Sequence, residues 1–97
     1  MLGTTMALLS DARIEQHLQD ADWRRENGSI VRELSFRDFA AAIAFVERVA
    51  ELAEAANHHP DILLHGWNKV RLTLSTHSEG GLTDSDFELA GQIDRLA

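Results

Sequence analysis

Residues 23–34 read WRRENGSIVREL, and the Asn27-Gly28 pair at their centre decides the fold class. Asn-Gly between two extended runs is the strongest short-range signal for a β-hairpin, because both residues tolerate the positive φ that a tight two-residue turn needs. Strands joined this way are antiparallel. In the second run Ile30 and Leu34 share a face with Arg32, so the apolar–polar alternation is imperfect.

The residues before the hairpin follow a helical rule. Ser10 is a candidate N-cap, Asp11 suits the positive end of a helix, and Ile14 and Leu18 recur at four-residue spacing. Residues 1–9 carry no such pattern and are open to being disordered. After the hairpin, Ser35 is expected to open a long helix, with Asp38 completing a capping-box-like start. Phe39, Ile43, Val46, Ala50 and Ala53 form its expected buried stripe, with Ala42 and Val49 beside it. Pro60, the single proline, disfavours the α conformation at His59, so this helix should stop by about His58. Glu54 and His58 stand four apart and would share a face of an intact last turn.

The stretch DILLHGWNKVRLTLSTH, residues 61–77, reads as two more strands around a turn near Gly66. Val70, Leu72 and Leu74 point one way; Arg71, Thr73, Ser75 and His77 point the other. Thr83 with Asp86 makes a capping-box-like start for a last helix, whose stripe is Phe87, Ala90, Ile93 and Leu96, with Leu89 beside it. The order is α-β-β-α-β-β-α. One α+β domain over residues 1–97 follows, a four-stranded antiparallel sheet with three helices on one face.

Charge and composition exclude several classes. Nine basic against 16 acidic residues give a formal charge of −7, which disfavours binding nucleic acid or an anionic membrane through phosphate neutralisation. Without cysteine, neither a disulfide nor a thiolate metal site can form. No apolar run approaches the roughly 18 residues of a membrane span, and MLGTTMALLS lacks the basic start and the length of a signal peptide. A cytoplasmic, soluble protein is expected.

The chemistry concentrates in EAANHHPDILLHGW, residues 54–67, and in the later His77. An imidazole both accepts and donates protons near neutral pH, so His58, His59 and His77 suit general acid–base work, with Glu54 able to orient a ring or bind a polar group. The plainer reading, polar surface residues, stays open for His58 and His59 and is preferred for His17 and His65. A three-histidine metal site is disfavoured, because adjacent residues rarely chelate one ion and no helix carries histidines at i and i+4. Neither a phosphate-binding glycine loop nor a Ser or Cys nucleophile motif is present.

The chain resembles the pterin-4a-carbinolamine dehydratase family. The likeness lies in Glu54…His58-His59-Pro60, then Trp67-Asn68-Lys69-Val70, Leu74-Ser75-Thr76-His77, Gly81-Leu82-Thr83 and Asp86. LSFRDFAAAIAFVERVA and Trp23 also match, and the whole spans residues 10–96. The resemblance implies the same α+β fold. It also implies dehydration of 4a-hydroxytetrahydropterin to quinonoid dihydropterin, without metal or organic cofactor, in tetrahydropterin recycling. His58, His59 and His77 would be the catalytic residues; Glu54, Trp67 and Asp86 would bind substrate. Asp86 has a competing capping role, and Trp67 an equal claim to core packing. Two departures are Asn57, where animal members often carry Asp, and Ile62, where the family often has an aromatic. The resemblance further implies a homodimer or homotetramer, and the acidic charge argues for no nucleic-acid or membrane partner. The alternative is a non-catalytic pterin-binding or partner-binding module serving other pterin-cofactor metabolism.

Overall fold

A computed structural model describes residues 7–97. The expectation of disorder for residues 1–9 falls largely outside them. Within the described part, the Leu9 amide donates to the Leu82 carbonyl at 2.9 Å.

The elements are α1 (Asp11–Leu18), β1 (Arg24–Glu26), β2 (Ser29–Ser35), α2 (Phe39–Ala56), β3 (Asp61–His65), β4 (Lys69–Leu74) and α3 (Asp84–Leu96), with a short 3₁₀ turn over His77–Glu79. Ser10 caps α1 by accepting from the Arg13 amide. The Asn27-Gly28 hairpin forms with Glu26 opposite Ser29, and Asn27 takes the positive φ of 56°. The four strands make one antiparallel sheet in the order β1-β2-β4-β3. β2 and β4 therefore occupy the middle, although α2 and β3 separate them in sequence.

Register explains the imperfect alternation of β2. Ile30, Arg32 and Leu34 lie opposite Leu74, Leu72 and Val70, so Arg32 stands on the core face of the sheet. Its guanidinium is mostly buried and paired with the carboxylates of Asp94 and Asp22. The Trp23 indole N–H also donates to Asp94, at 2.8 Å. A charge withdrawn from water needs such partners, and α3 supplies the main one. On the other face Arg24 pairs with Glu33 and Arg71 with Glu26. The Arg24 hydrogen bond, aided by its positive charge, lowers the Glu33 carboxyl below its ordinary value, and the same contact raises Arg24.

The core joins Ile14 and Trp23 to Ile30, Val70, Leu72 and Leu74 from the sheet and to buried residues of α2 and α3. α3 buries Leu89, Ala90 and Ile93, while Phe87 and Leu96 pack as partly buried neighbours.

Two expectations for α2 need correction. Ser35 does not open the helix; it ends β2, opposite Lys69. Phe36 then extends the pairing, donating to the Asn68 carbonyl at 2.8 Å and accepting from the Asn68 side-chain amide at 2.9 Å. The chain is still extended there, and Asp38 becomes the N-cap by accepting from the Ala41 amide at 2.7 Å. The buried stripe is Ala42, Phe45, Val49 and Ala53, whereas Phe39 and Ile43 are exposed. FAAAIAFV carries apolar residues on most sides of the wheel, so periodicity alone does not choose the inward side.

Candidate active site

The site begins at the end of α2. Asn57 adopts the left-handed conformation (φ 51°, ψ 42°), its amide donates to the Glu54 carbonyl, and the His58 amide donates to the Ala53 carbonyl at 3.0 Å. These bonds define a Schellman motif, which satisfies the last helical carbonyls and turns the chain sharply. Pro60 follows, where the helix cannot resume.

That turn undoes the expected pairing of Glu54 with His58. The Glu54 carboxylate instead meets His59 Nε2 at 2.6 Å, with both side chains largely exposed. His58 swings inward, and its Nε2 lies 2.6 Å from Asp86 Oδ1. The His58 side chain is only 12% exposed and that of Asp86 is fully buried.

Asp86 is positioned from three directions. It is the third residue of α3, where its Oδ2 accepts the Thr83 amide at 2.9 Å in a capping box. The same oxygen accepts the Thr76 hydroxyl at 2.8 Å, and Thr76 Oγ1 lies 2.7 Å from the Thr83 hydroxyl. Its Oδ1 faces His58. Opposite an ionised carboxylate, which only accepts, the His58 proton belongs on Nε2, which leaves Nδ1 for a second interaction. Asp86 thus fills the capping role, and the substrate contact expected of it is replaced by a bond to His58. Its site role runs through His58, since a fully buried carboxylate presents no surface to a ligand.

His77 comes from the far end of β4. Strand alternation places Thr76 inward with Leu74 and Leu72, and Thr76 is 3% exposed. The chain then closes through a bridge between Thr76 and Gly81, with Gly80 at φ 74° ending the 3₁₀ turn. His77 opens that turn and is exposed. Among the described residues its ring has no hydrogen-bonding partner.

The Asn57–His59 corner and the Ser75–Ser78 segment enclose an open cleft of about 370 Å³. Small-molecule pockets start near 300 Å³. Clefts beside the stacked rings of His17 and Phe87 hold about 130 and 230 Å³ and fall short of that size. Three imidazoles therefore line one cleft in three settings: His58 on a buried carboxylate, His59 on an exposed one, and His77 unpartnered. The described residues contain no group of three His, Asp or Glu side chains placed to hold a metal ion.

Trp67 is not brought to this cleft. It sits in the β3–β4 turn, at the opposite end of the hairpin from His58 and His77, with φ 60° and 61% exposure. The length of β3 alone, five residues at ~3.3 Å each, keeps it away. Nor does it pack in the core. Thr76 and Thr83 stand behind His58; sequence reasoning assigned Thr83 a capping role only and Thr76 no role of its own. The signal for Thr76 was its place in the inward row of β4, where a buried hydroxyl needs partners.

The model of the pterin 4 alpha carbinolamine dehydratase family matches residues 7–96. A Nocardia farcinica protein named for that dehydratase is 55% identical over 94 residues, covering 96% of this chain and 98% of its own length. One from Roseiflexus castenholzii with the same name is 54% identical over 93% of this chain and 97% of its own. Among solved structures, a transcriptional coactivator/pterin dehydratase from Brucella melitensis superposes with a TM-score of 0.87 at 31% identity. That match covers 94% of this chain and 99% of the other. A pterin dehydratase-like protein identified as a RuBisCO assembly factor in the alpha-carboxysome gives 0.65 at 26% identity, over 78% and 89%.

Proposed function

The chain belongs to the pterin 4 alpha carbinolamine dehydratase family, and from that premise we propose that it is a hydro-lyase acting on 4a-hydroxytetrahydropterin through histidine general acid–base catalysis. The observation that carries this reading is the cleft on which His58, His59 and His77 converge, with His58 anchored to a fully buried carboxylate.

Two proton movements make the reaction. An acid protonates the 4a hydroxyl, the C4a–O bond breaks and water leaves. A base takes the N5 proton, and the freed electron pair forms the C4a–N5 double bond of the quinonoid product. The positive charge on a doubly protonated His58 is offset by Asp86, which suits that ring to the proton donated to the hydroxyl. His77, with an unpartnered ring, suits the proton taken from N5. His59, held by Glu54 at the rim, binds the pterin and assists. Each positioned acid or base typically contributes ~10²–10⁴-fold. The reaction serves tetrahydropterin recycling in the cytoplasm, and no helix of the described residues is long and apolar enough to cross a membrane. Phe39, Leu63 and Trp67 expose apolar surface, and β3 is a free sheet edge, which supports a homodimer or homotetramer.

A second reading is a module that binds pterin or a protein partner without turnover. The similarity to a RuBisCO assembly factor favours keeping it in view. Following the ultraviolet absorbance of 4a-hydroxytetrahydropterin with and without the protein separates the two. The dehydratase reading expects acceleration far above buffer. A folded protein that binds the pterin and leaves the rate at the buffer value belongs to the second reading.

A further inference from the structure

Thr76 joins the two sides of the cleft. Its backbone immediately precedes His77 and anchors the 3₁₀ turn: the Thr76 amide donates to the Gly81 carbonyl at 2.8 Å, and its carbonyl accepts from Glu79 and Gly80 at 3.0 Å. Its side chain faces the opposite way, into the protein. There the hydroxyl donates to Asp86 Oδ2, while Asp86 Oδ1 meets His58 Nε2. One buried residue thus holds His77 through its main chain and His58 through its hydroxyl and Asp86.

We infer that Thr76 is a positioning residue: its hydroxyl fixes the rotation of the Asp86 carboxylate, so that Oδ1 is presented to His58 and the imidazole is locked with its proton on Nε2. Among the described residues the carboxylate has three donors, and two of them, the Thr83 amide and the Thr76 hydroxyl, meet on one oxygen. The amide belongs to the start of α3 and restrains that oxygen from one side. The hydroxyl restrains it from the other. Without the hydroxyl, only the capping bond on Oδ2 and the His58 contact itself hold the torsion that aims Oδ1, and terminal carboxylate torsions are broad. The His58 ring then samples both tautomers, and the Nε2–H bond to Asp86 that holds the ring for proton transfer is made for only part of the time.

The consequence for turnover rests on the dehydratase reading; the consequence for the ring does not. The test is therefore run twice on Thr76→Val, which keeps shape and loses the hydroxyl, and on Thr76→Ser, which keeps the hydroxyl. Thr76→Ala serves as the hydroxyl-free variant if Val does not fold. First, long-range proton–nitrogen spectra of the histidine rings are recorded on the unliganded proteins. Wild type and Thr76→Ser should show His58 as a single Nε2-protonated tautomer, and the hydroxyl-free variant an averaged one. Second, dehydration kinetics should show kcat lowered on the order of tenfold in the hydroxyl-free variant, part of the ~10²–10⁴-fold a positioned group supplies. KM should stay close to wild type and Ser should restore kcat. A folded hydroxyl-free variant with the wild-type His58 tautomer overturns the inference. If wild type shows no dehydration, the proposed function fails while the ring spectra still decide the role of Thr76.

Discussion

At the scale of single residues, Asp86 governs the site. Its Oδ2 is held by two buried donors and its Oδ1 by His58, and an ionised Asp86 fixes which nitrogen of His58 holds the proton. Asp86→Asn keeps the shape and reverses that instruction. The amide oxygen takes over the capping bond to Thr83, and the NH₂ group turns toward His58 Nε2, which must then accept. The neutral ring then carries its proton on Nδ1, and no carboxylate offsets the charge of the doubly protonated form that acts as the acid. A buried Asp→Asn change that imposes the wrong histidine tautomer lowers turnover by up to about 10⁴-fold in a Ser-His-Asp triad. A kcat loss on the order of 10²–10⁴-fold is expected here, with circular dichroism showing the fold retained. Wild-type kcat in a folded Asp86→Asn protein contradicts the orienting role. Little of this was legible in the sequence. The i, i+4 spacing paired His58 with Glu54, because spacing rules hold only while the helix continues, and the left-handed turn at Asn57 ends it first. The true partner lies 28 positions away, and only the tertiary fold brings it near.

At the scale of elements, the α2 terminus decides where two histidines go. The Schellman motif sends His58 inward and His59 outward from adjacent positions, and it needs a residue at φ 51°. Asparagine tolerates that conformation and glycine adopts it freely, whereas a β-branched side chain pays roughly 1–2 kcal/mol there. Asn57→Val should therefore lower the urea midpoint of unfolding and reduce kcat, because the corner carrying His58 shifts. Asn57→Gly should leave both near wild type. Equal stability and activity in the valine variant contradict this account of the corner. The elements themselves were largely legible: Asn27-Gly28 gave the first hairpin, and the Thr83–Asp86 pair gave the start of α3. The start of α2 was not. Ser35 and Asp38 both have N-cap chemistry, and the choice between them rests on pairing of Phe36 with Asn68, a contact between segments 32 residues apart.

At the scale of the whole molecule, two segments of the candidate site, distant in sequence, meet because β4 lies between β2 and β3 while α3 packs against α2. The sheet sets the end of β4, and with it His77, beside the α2–β3 corner that carries His58. α3 closes the arrangement from behind with Asp86. Antiparallel pairing, the α+β class and the element order followed from turn and periodicity signals. The reaction did not; it came from separated motifs in the right order, to which the fold adds a cleft of fitting size. The formal charge of −7 bears on partners at this scale and leaves the chemistry to the cleft.

The most direct test of this account is the rate of 4a-hydroxytetrahydropterin dehydration by wild type beside His58→Ala and His77→Ala, each checked for a retained fold. The account predicts a strong acceleration by wild type and a loss of ~10²–10⁴-fold in each variant. Wild-type turnover in both variants would contradict it.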